Sequence, residues 1–288
     1  MFLTIYISTI AFILGAVFGS FTDCMAYRIM NGESVLKGRS HCDVCGHVLG
    51  ARDLVPIFSW LFSHGKCRYC DARISAESTI TELLMGICFV ITVTRFGLSF
   101  EALRILVLLV IFFALSIIDL HTLEIPDRFH IAILITYFIT LPLVAWQKTT
   151  GYSRVSLWTL MTVQNSMNIE SQTAGSTTFT ETLLHMLLPG LLTAALIGGG
   201  MLLISLIMDK VLGKESMGGG DIKLFFATGF YLTPLLGLFN LELCCLIGLV
   251  FVFAFKKQKI PFGPSICIGT FISLLFGNQF INWYISLF

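Results

Sequence analysis

Charged residues are scarce in this sequence of 288 residues. They form 12% of the chain, against roughly 25% in an ordinary soluble domain, while hydrophobic residues form 56%. The net charge of +1 leaves no broad basic surface, so we expect no nucleic-acid partner. The first apolar segment lacks the basic start and small-residue cleavage site of a signal peptide, which predicts a retained transmembrane helix. These absences favour an integral membrane protein whose main surroundings are the lipid bilayer.

Apolar stretches long enough to cross a bilayer, about 20 residues each, recur along the chain. They predict an all-α polytopic membrane protein with about eight transmembrane helices. Two of the stretches are separated only by a very short turn near Asn240. The eight predicted spans cover residues 2–22, 79–97, 101–119, 129–147, 183–208, 222–239, 240–255 and 265–287.

Lys and Arg are unevenly distributed between the loops. With the amino terminus outside, the loops on the cytoplasmic side hold thirteen basic residues and the external loops hold four. Because basic loops stay in the cytoplasm, loop 23–78 is predicted to be cytoplasmic, and the nearly uncharged loop 148–182 is predicted to be external. The resulting domains are a first transmembrane helix over 1–22, a cytoplasmic domain over 23–78 and a membrane domain over 79–288.

Four cysteines in the cytoplasmic loop have the spacing of metal ligands. Cys42 and Cys45 form one C-x2-C pair, Cys67 and Cys70 form another, and 21 residues separate the pairs. Two such pairs are typical of a structural zinc site in which each pair supplies two thiolates. Disulfides and a redox-active C-x-x-C motif are the alternatives. The reducing cytoplasm and the duplicated pair favour zinc.

Two aspartates interrupt or end apolar segments. Asp119 ends the third predicted span, and Asp221 begins the sixth after a run of glycines that includes Gly218 and Gly220. A carboxylate at membrane depth is costly and usually faces a partner or a water-filled cavity. If the two carboxylates meet, they form the pair of an aspartic protease, and the glycines let a substrate backbone approach. A helix N-cap is the structural alternative for Asp221, whereas Asp119, at a helix C-terminus, has no such role.

Five ordered blocks of the sequence resemble the type IV prepilin peptidases, which are bifunctional leader peptidases and N-methyltransferases and membrane aspartic proteases with a GxGD motif. The resemblance covers about 250 residues. The blocks are "GSFTDCMAYRI", the two C-x2-C pairs around "DLVPIFSWL" with "ISAESTITELL", "IDLHTLEIPD", "ESMGGGDIKL" and "IPFGP".

The resemblance implies an enzyme, and it assigns roles to positions of this chain. Asp119 and Asp221 match the catalytic aspartates, Gly218 and Gly220 match the motif glycines, and the four cysteines match the zinc ligands. The implied reaction cleaves the leader of prepilins or pseudopilins after a glycine, at the cytoplasmic face of the bacterial inner membrane. Methylation of the new N-terminus with S-adenosylmethionine commonly follows in the family.

The amino-terminal region departs from the family pattern. Asp23 stands where the family usually has Asn, a proline after Arg28 is missing, and Asp43 replaces a proline in the first C-x2-C pair. "ESTITE" lacks a Tyr-Pro pair, although Glu82 is retained. These departures fall in the region associated with methyl transfer, so they leave that step open and do not touch the peptidase motifs.

Two other functions compete with a prepilin peptidase. Another GxGD intramembrane protease, of the presenilin, signal-peptide-peptidase or preflagellin kind, would share the two aspartates but lacks the four-cysteine loop. A proton-coupled transporter could use Asp119 and Asp221 as a proton relay. Such transporters often contain inverted repeats, and no repeat is evident in this sequence.

Overall fold

The computed structural model describes residues 2–35, 38–150, 178–213, 217–255 and 261–287. These residues form an almost entirely helical protein, in which the only extended pairing consists of two isolated β-bridges. The α-helices are α1 (Phe2–Met30), α2 (Phe58–Phe62), α3 (Glu77–Phe96), α4 (Phe100–Thr122), α5 (Asp127–Thr149), α6 (Phe179–Leu212), α7 (Gly219–Gly229), α8 (Pro234–Phe255) and α9 (Gly263–Ile285).

Among the described residues, seven helices have the length and hydropathy of a membrane span, where about eight were predicted. The predicted span 222–239 is not one helix, because α7 ends at Gly229 after 11 residues and α8 begins at Pro234. At 1.5 Å per residue α7 is about 16 Å long, too short to cross the hydrocarbon core. Proline is favoured at the start of a helix, so the break falls before Pro234.

The turn predicted near Asn240 is wrong. Asn240 lies inside α8, is 2% exposed, and has its amide satisfied by side chains. Its Nδ2 donates to Thr270 Oγ1 at 3.4 Å, and its Oδ1 accepts from Ser273 Oγ at 3.2 Å. A buried polar residue therefore joins α8 to α9 at a position where the sequence favoured a turn.

The chain divides into two compact units that adjoin in sequence between Gly97 and Leu98. In the first unit, α1 packs closely on α3 through two glycines in a G-x-x-x-G arrangement. A Cβ on Gly15 would lie 2.8 Å from Gly86 Cα, and a Cβ on Gly19 would lie 2.7 Å from Glu82 Cα. The helix α1 continues to Met30, eight residues beyond the predicted end of the span.

In the second unit, α7 is held against α6 by small residues. A Cβ on Gly198 would lie 2.7 Å from Phe226 Cβ, and a Cβ on Gly229 would lie 2.6 Å from Ala194 Cα. Of the second glycine run in the sequence, only Gly198 makes such a contact, because Gly199 and Gly200 have nothing within 4 Å. Most of the predicted external loop 148–182 lies outside the described residues.

Candidate functional site

The four cysteines of the first unit lie on two turns of the same design. In each turn the residue after the second cysteine has a left-handed backbone, Gly46 with φ of 69° and Asp71 with φ of 56°. The first cysteine of each pair donates its N–H to a carbonyl five residues later, at 3.0 Å for Cys42 and 2.8 Å for Cys67. The loop thus contains a short structural repeat, residues 41–48 and 66–73, that the sequence did not reveal.

These turns bring the four thiols together. The ligand atoms of Cys42, Cys45, Cys67 and Cys70 all lie within 4.8 Å of one another, and the Sγ atoms of Cys42 and Cys70 are 3.9 Å apart. A tetrahedral ion with bonds of about 2.3 Å to sulfur needs sulfurs about 3.8 Å apart. None of the described cysteines is in a disulfide. The cluster therefore fits a structural zinc ion, as predicted.

Local hydrogen bonds prepare one thiolate in the cluster. Backbone N–H groups of Cys45 and Val44 lower the pKa of the Cys42 thiol to about 7. The backbone N–H of Ala72 also lowers the pKa of Cys70, but desolvation and the three neighbouring sulfurs outweigh it and raise that pKa to about 12. Four thiols this close together cannot all ionise without a cation, because their negative charges repel one another. A bound metal ion would stabilise all four thiolates.

Asp53 braces the loop between the two cysteine pairs. Its Oδ2 accepts from the Gly50 N–H at 3.0 Å and from the Tyr69 hydroxyl at 3.1 Å, and its Oδ1 lies 3.4 Å from Arg68 Nη1. The Tyr69 ring stacks on His47 with centroids 3.6 Å apart. The loop is therefore tied by polar contacts around the cluster, since it has little apolar core of its own.

Glu82 connects this loop to α3. Its Oε2 accepts the backbone N–H of Ile57 at 2.6 Å, and Ile57 has an unusual positive φ of 65°. Glu82 is 6% exposed, so the contact fixes a strained loop residue against a buried carboxylate. Glu82 is a residue of the family pattern that this sequence keeps, but nothing in the sequence predicted Ile57 as its hydrogen-bond partner.

In the second unit, Asp119 lies near the end of α4 and is 4% exposed. Its Oδ2 accepts the N–H of Gly263, the first residue of α9, at 2.9 Å. A Cβ on residue 263 would lie 2.7 Å from that oxygen, so the contact requires glycine. Asp119 therefore accepts an N–H in the first turn of a different helix, where the helix dipole favours a carboxylate, a contact that its position at the end of α4 did not predict.

Asp221 is the third residue of α7 and is not its N-cap. Gly218 occupies the N-cap position, and its carbonyl accepts the Asp221 N–H at 3.1 Å. Asp221 and Asp119 lie close enough for their charges to interact. Cys267, which is buried one turn into α9, lies within the same electrostatic range of both carboxylates. Two aspartates that are far apart in sequence therefore lie within electrostatic range of each other.

The glycines before Asp221 have different surroundings. A Cβ on Gly218 would lie 3.2 Å from Asp221 Oδ2, whereas a Cβ on Gly219 would meet nothing within 4 Å. A Cβ on Gly220 would lie 3.1 Å from the Ile125 Cβ, so Gly220 lets α7 approach the connection between α4 and α5. Gly218 is thus the glycine that borders the carboxylate, and Gly220 is a packing position.

Two further side chains of α5 face the start of α7. Lys223 Nζ lies 2.6 Å from Asp127 Oδ1, and both side chains are more than half exposed. His130 is buried, and its Nε2 lies 3.0 Å from the Gly220 carbonyl oxygen. Asp127 therefore forms a surface ion pair, unlike the buried Asp119, while His130 contacts the glycine run directly.

Comparisons with known proteins point to one enzyme family. Residues 13–96 match the family model described as the bacterial peptidase A24 N-terminal domain. The prepilin leader peptidase/N-methyltransferase of Aeromonas salmonicida is 31% identical over 88% of this chain and 76% of its own length. This chain belongs to the prepilin leader peptidase/N-methyltransferase family.

Other relatives extend the agreement over nearly the whole chain. The Bacillus subtilis prepilin leader peptidase/N-methyltransferase is 29% identical over 97% of this chain and 98% of its own length. The type 4 prepilin-like proteins leader peptide-processing enzyme of Escherichia coli is 28% identical over 88% of both chains. The search of solved structures gave no match. Membership of the prepilin peptidase family makes the chain an enzyme of the peptidase class and favours this assignment over a transporter.

Proposed function

We propose that the chain is a membrane aspartic endopeptidase that removes the leader of type IV prepilins or pseudopilins. The observation that carries this proposal is the interaction of Asp119 with Asp221, two carboxylates on different helices of a protein from this family. Asp119 is only 4% exposed, and burying a carboxylate at membrane depth is costly, so a functional role explains its presence better than a structural one.

The two carboxylates share one proton in the resting enzyme, because two negative charges at close range repel. The ionised carboxylate takes a proton from water as the water oxygen bonds to the scissile carbonyl carbon. The other carboxyl group gives its proton to the carbonyl oxygen, which forms a gem-diol. When the carbon–nitrogen bond breaks, a diol proton returns to the pair, and the leaving amine receives the proton taken from water.

The contacts around the two carboxylates are compatible with one acting as the base and the other as the acid. The Gly263 N–H occupies Oδ2 of Asp119, so Oδ1 is left for water or for the partner carboxyl group. The glycine at position 218 keeps one side of the Asp221 carboxylate uncovered. A substrate backbone in extended form can approach from that side, whereas a larger side chain there would crowd the carboxylate.

The site is proposed to act at the cytoplasmic face of the bacterial inner membrane. Thirteen of the basic residues fall in the loops assigned to that side, including the loop with the cysteines. A prepilin has a short basic leader, which the same rule keeps in the cytoplasm, followed by an apolar helix in the bilayer. The junction of leader and helix would then lie at the membrane edge, where the aspartates are predicted.

The metal and the methyl donor have separate roles in the proposal. Cys42, Cys45, Cys67 and Cys70 would hold a zinc ion that cross-links the loop and stabilises its fold. Methylation of the new N-terminus with S-adenosylmethionine is proposed from the names of the relatives. No residue of this chain is assigned to the methyl donor.

Co-expression with a prepilin substrate tests the proposal. The substrate should carry a basic leader that ends in glycine, and intact-mass spectrometry should compare wild type with Asp119→Asn and Asp221→Asn. We expect leader removal by the wild type only, and methylation adds about 14 Da, one methylene, to the product. Cleavage by either variant at the wild-type level would contradict the aspartic mechanism. Cleavage without added mass would contradict methyl transfer alone.

A further inference from the structure

The peptide group between Gly220 and Asp221 is held at both of its ends. Its N–H, which belongs to Asp221, donates to the Gly218 carbonyl at 3.1 Å. Its carbonyl, which belongs to Gly220, accepts from His130 Nε2 at 3.0 Å. The plane of a peptide is rigid, so two hydrogen bonds to its ends fix the direction in which the Asp221 side chain leaves the backbone.

The burial and the surroundings of His130 favour this hydrogen bond. It lies in the first turn of α5 and is 5% exposed. A carbonyl oxygen only accepts, so Nε2 must carry the hydrogen. Among the described residues, Nδ1 has no hydrogen-bond partner, and Asp127 Oδ1, 3.6 Å away, already binds Lys223. The hydrogen bond from Nε2 to the Gly220 carbonyl is therefore the polar contact that holds the imidazole in place.

The start of α7 needs such an external support. Three successive glycines have no side chains to restrict the backbone, which leaves this segment with more conformational freedom than any other composition would. The helix α7, which begins with two of these glycines, has only 11 residues. Ile125 packs against Gly220, and that apolar contact limits the distance between the segments without orienting the peptide.

We propose that His130 is a positioning residue for Asp221, which acts by donating its Nε2–H to the Gly220 carbonyl. The inference rests on the proposed role of Asp221 in leader cleavage. The alternative is a structural histidine that only satisfies its own buried N–H. The two differ in what they predict, because positioning affects the catalytic rate and is restored by any side chain that puts a donor at the same point.

Three substitutions distinguish these roles. His130→Gln keeps an N–H donor near the position of Nε2 and cannot titrate, whereas His130→Phe and His130→Asn lose that donor. We expect kcat for cleavage of the prepilin substrate to fall at least about tenfold in the Phe and Asn variants. The Gln variant should stay within about threefold of wild type. KM should be unchanged in all three, and the matched control His185→Phe, at an exposed position of α6, should retain wild-type kcat.

Each possible result bears on the proposal. Wild-type kcat in the Asn variant, or an equal loss in Gln and Asn, would overturn it. A changed pH profile of kcat in the Gln variant would also overturn it, in favour of proton transfer by His130. If the Phe variant does not fold, the comparison of Gln with Asn decides. Asp221→Asn runs in parallel. If that variant is active, the proposed function and this inference both fail, whereas an inactive Asp221→Asn together with wild-type kcat in His130→Asn overturns the inference alone.

Discussion

The two candidate sites of this protein are built in opposite ways. The four-cysteine site uses one stretch of chain, residues 42–70, and repeats the same turn twice. The aspartate site is assembled from the ends of α4, α5, α7 and α9, which lie between Asp119 and Gly263 in the sequence. A local site is specified by spacing, whereas an assembled site depends on how helices pack. Small residues and backbone groups therefore matter most in the second.

Gly263→Ala should cause the largest loss among changes outside the carboxylates. The added Cβ would lie 2.7 Å from Asp119 Oδ2, so α9 or the carboxylate must move. A displacement of about 1 Å in a catalytic group can cost about 100-fold in rate. We expect that loss in kcat/KM for leader cleavage by the purified enzyme. Gly199→Ala, which meets nothing within 4 Å, is the control, and equal activity of the two variants would contradict the assembled site.

Cys42→Ser tests the local site. A structural zinc site of four cysteines holds one ion, so metal analysis of the wild type should find about one zinc per chain. Loss of a ligand should lower the zinc content at least about tenfold under dialysis and make the loop sensitive to proteolysis. Cys245→Ser, at an exposed position of α8, should keep its zinc. A wild-type protein without zinc would show that the cluster serves another purpose.

Gly220→Ala should have a moderate effect. Its Cβ would lie 3.1 Å from that of Ile125, so the Asp221 peptide must shift by a few tenths of an ångström, and we expect a loss of about fivefold in the cleavage rate. Gly219→Ala, with open space around it, should cleave at the wild-type rate. The opposite order, with loss at 219 and tolerance at 220, would mean that substrate access rather than helix packing requires these glycines.

The ion pair of Lys223 with Asp127 should contribute least. Its side chains are 56% and 66% exposed, and pairs of this kind contribute less than about 1 kcal/mol. A double-mutant cycle of Lys223→Ala and Asp127→Ala, read by thermal unfolding in detergent, should give a coupling energy below that value. A coupling above about 2 kcal/mol would make this pair part of the assembled site.

The same contrast explains what the sequence could predict. The cysteines were identifiable because ligand spacing is a local property, and the cluster confirms their grouping. Asp119 and Asp221 stood out because acids are rare in apolar segments. The Gly263 and His130 contacts could not be predicted, because each joins helix ends that are distant in sequence. The prediction of a turn near Asn240 failed for a related reason, because the side chains that bind its amide, Thr270 and Ser273, are on another helix.

Kinetics of the two aspartate variants test the central claim most directly. Leader cleavage should be measured with purified wild type, Asp119→Asn, Asp221→Asn and the double variant, with thermal unfolding as the check on folding. If the carboxylates act as one unit, each single change should lower kcat at least about 100-fold, and the double change should cost no more than either one. Independent, multiplying losses, or a single variant with wild-type kcat, would contradict the account.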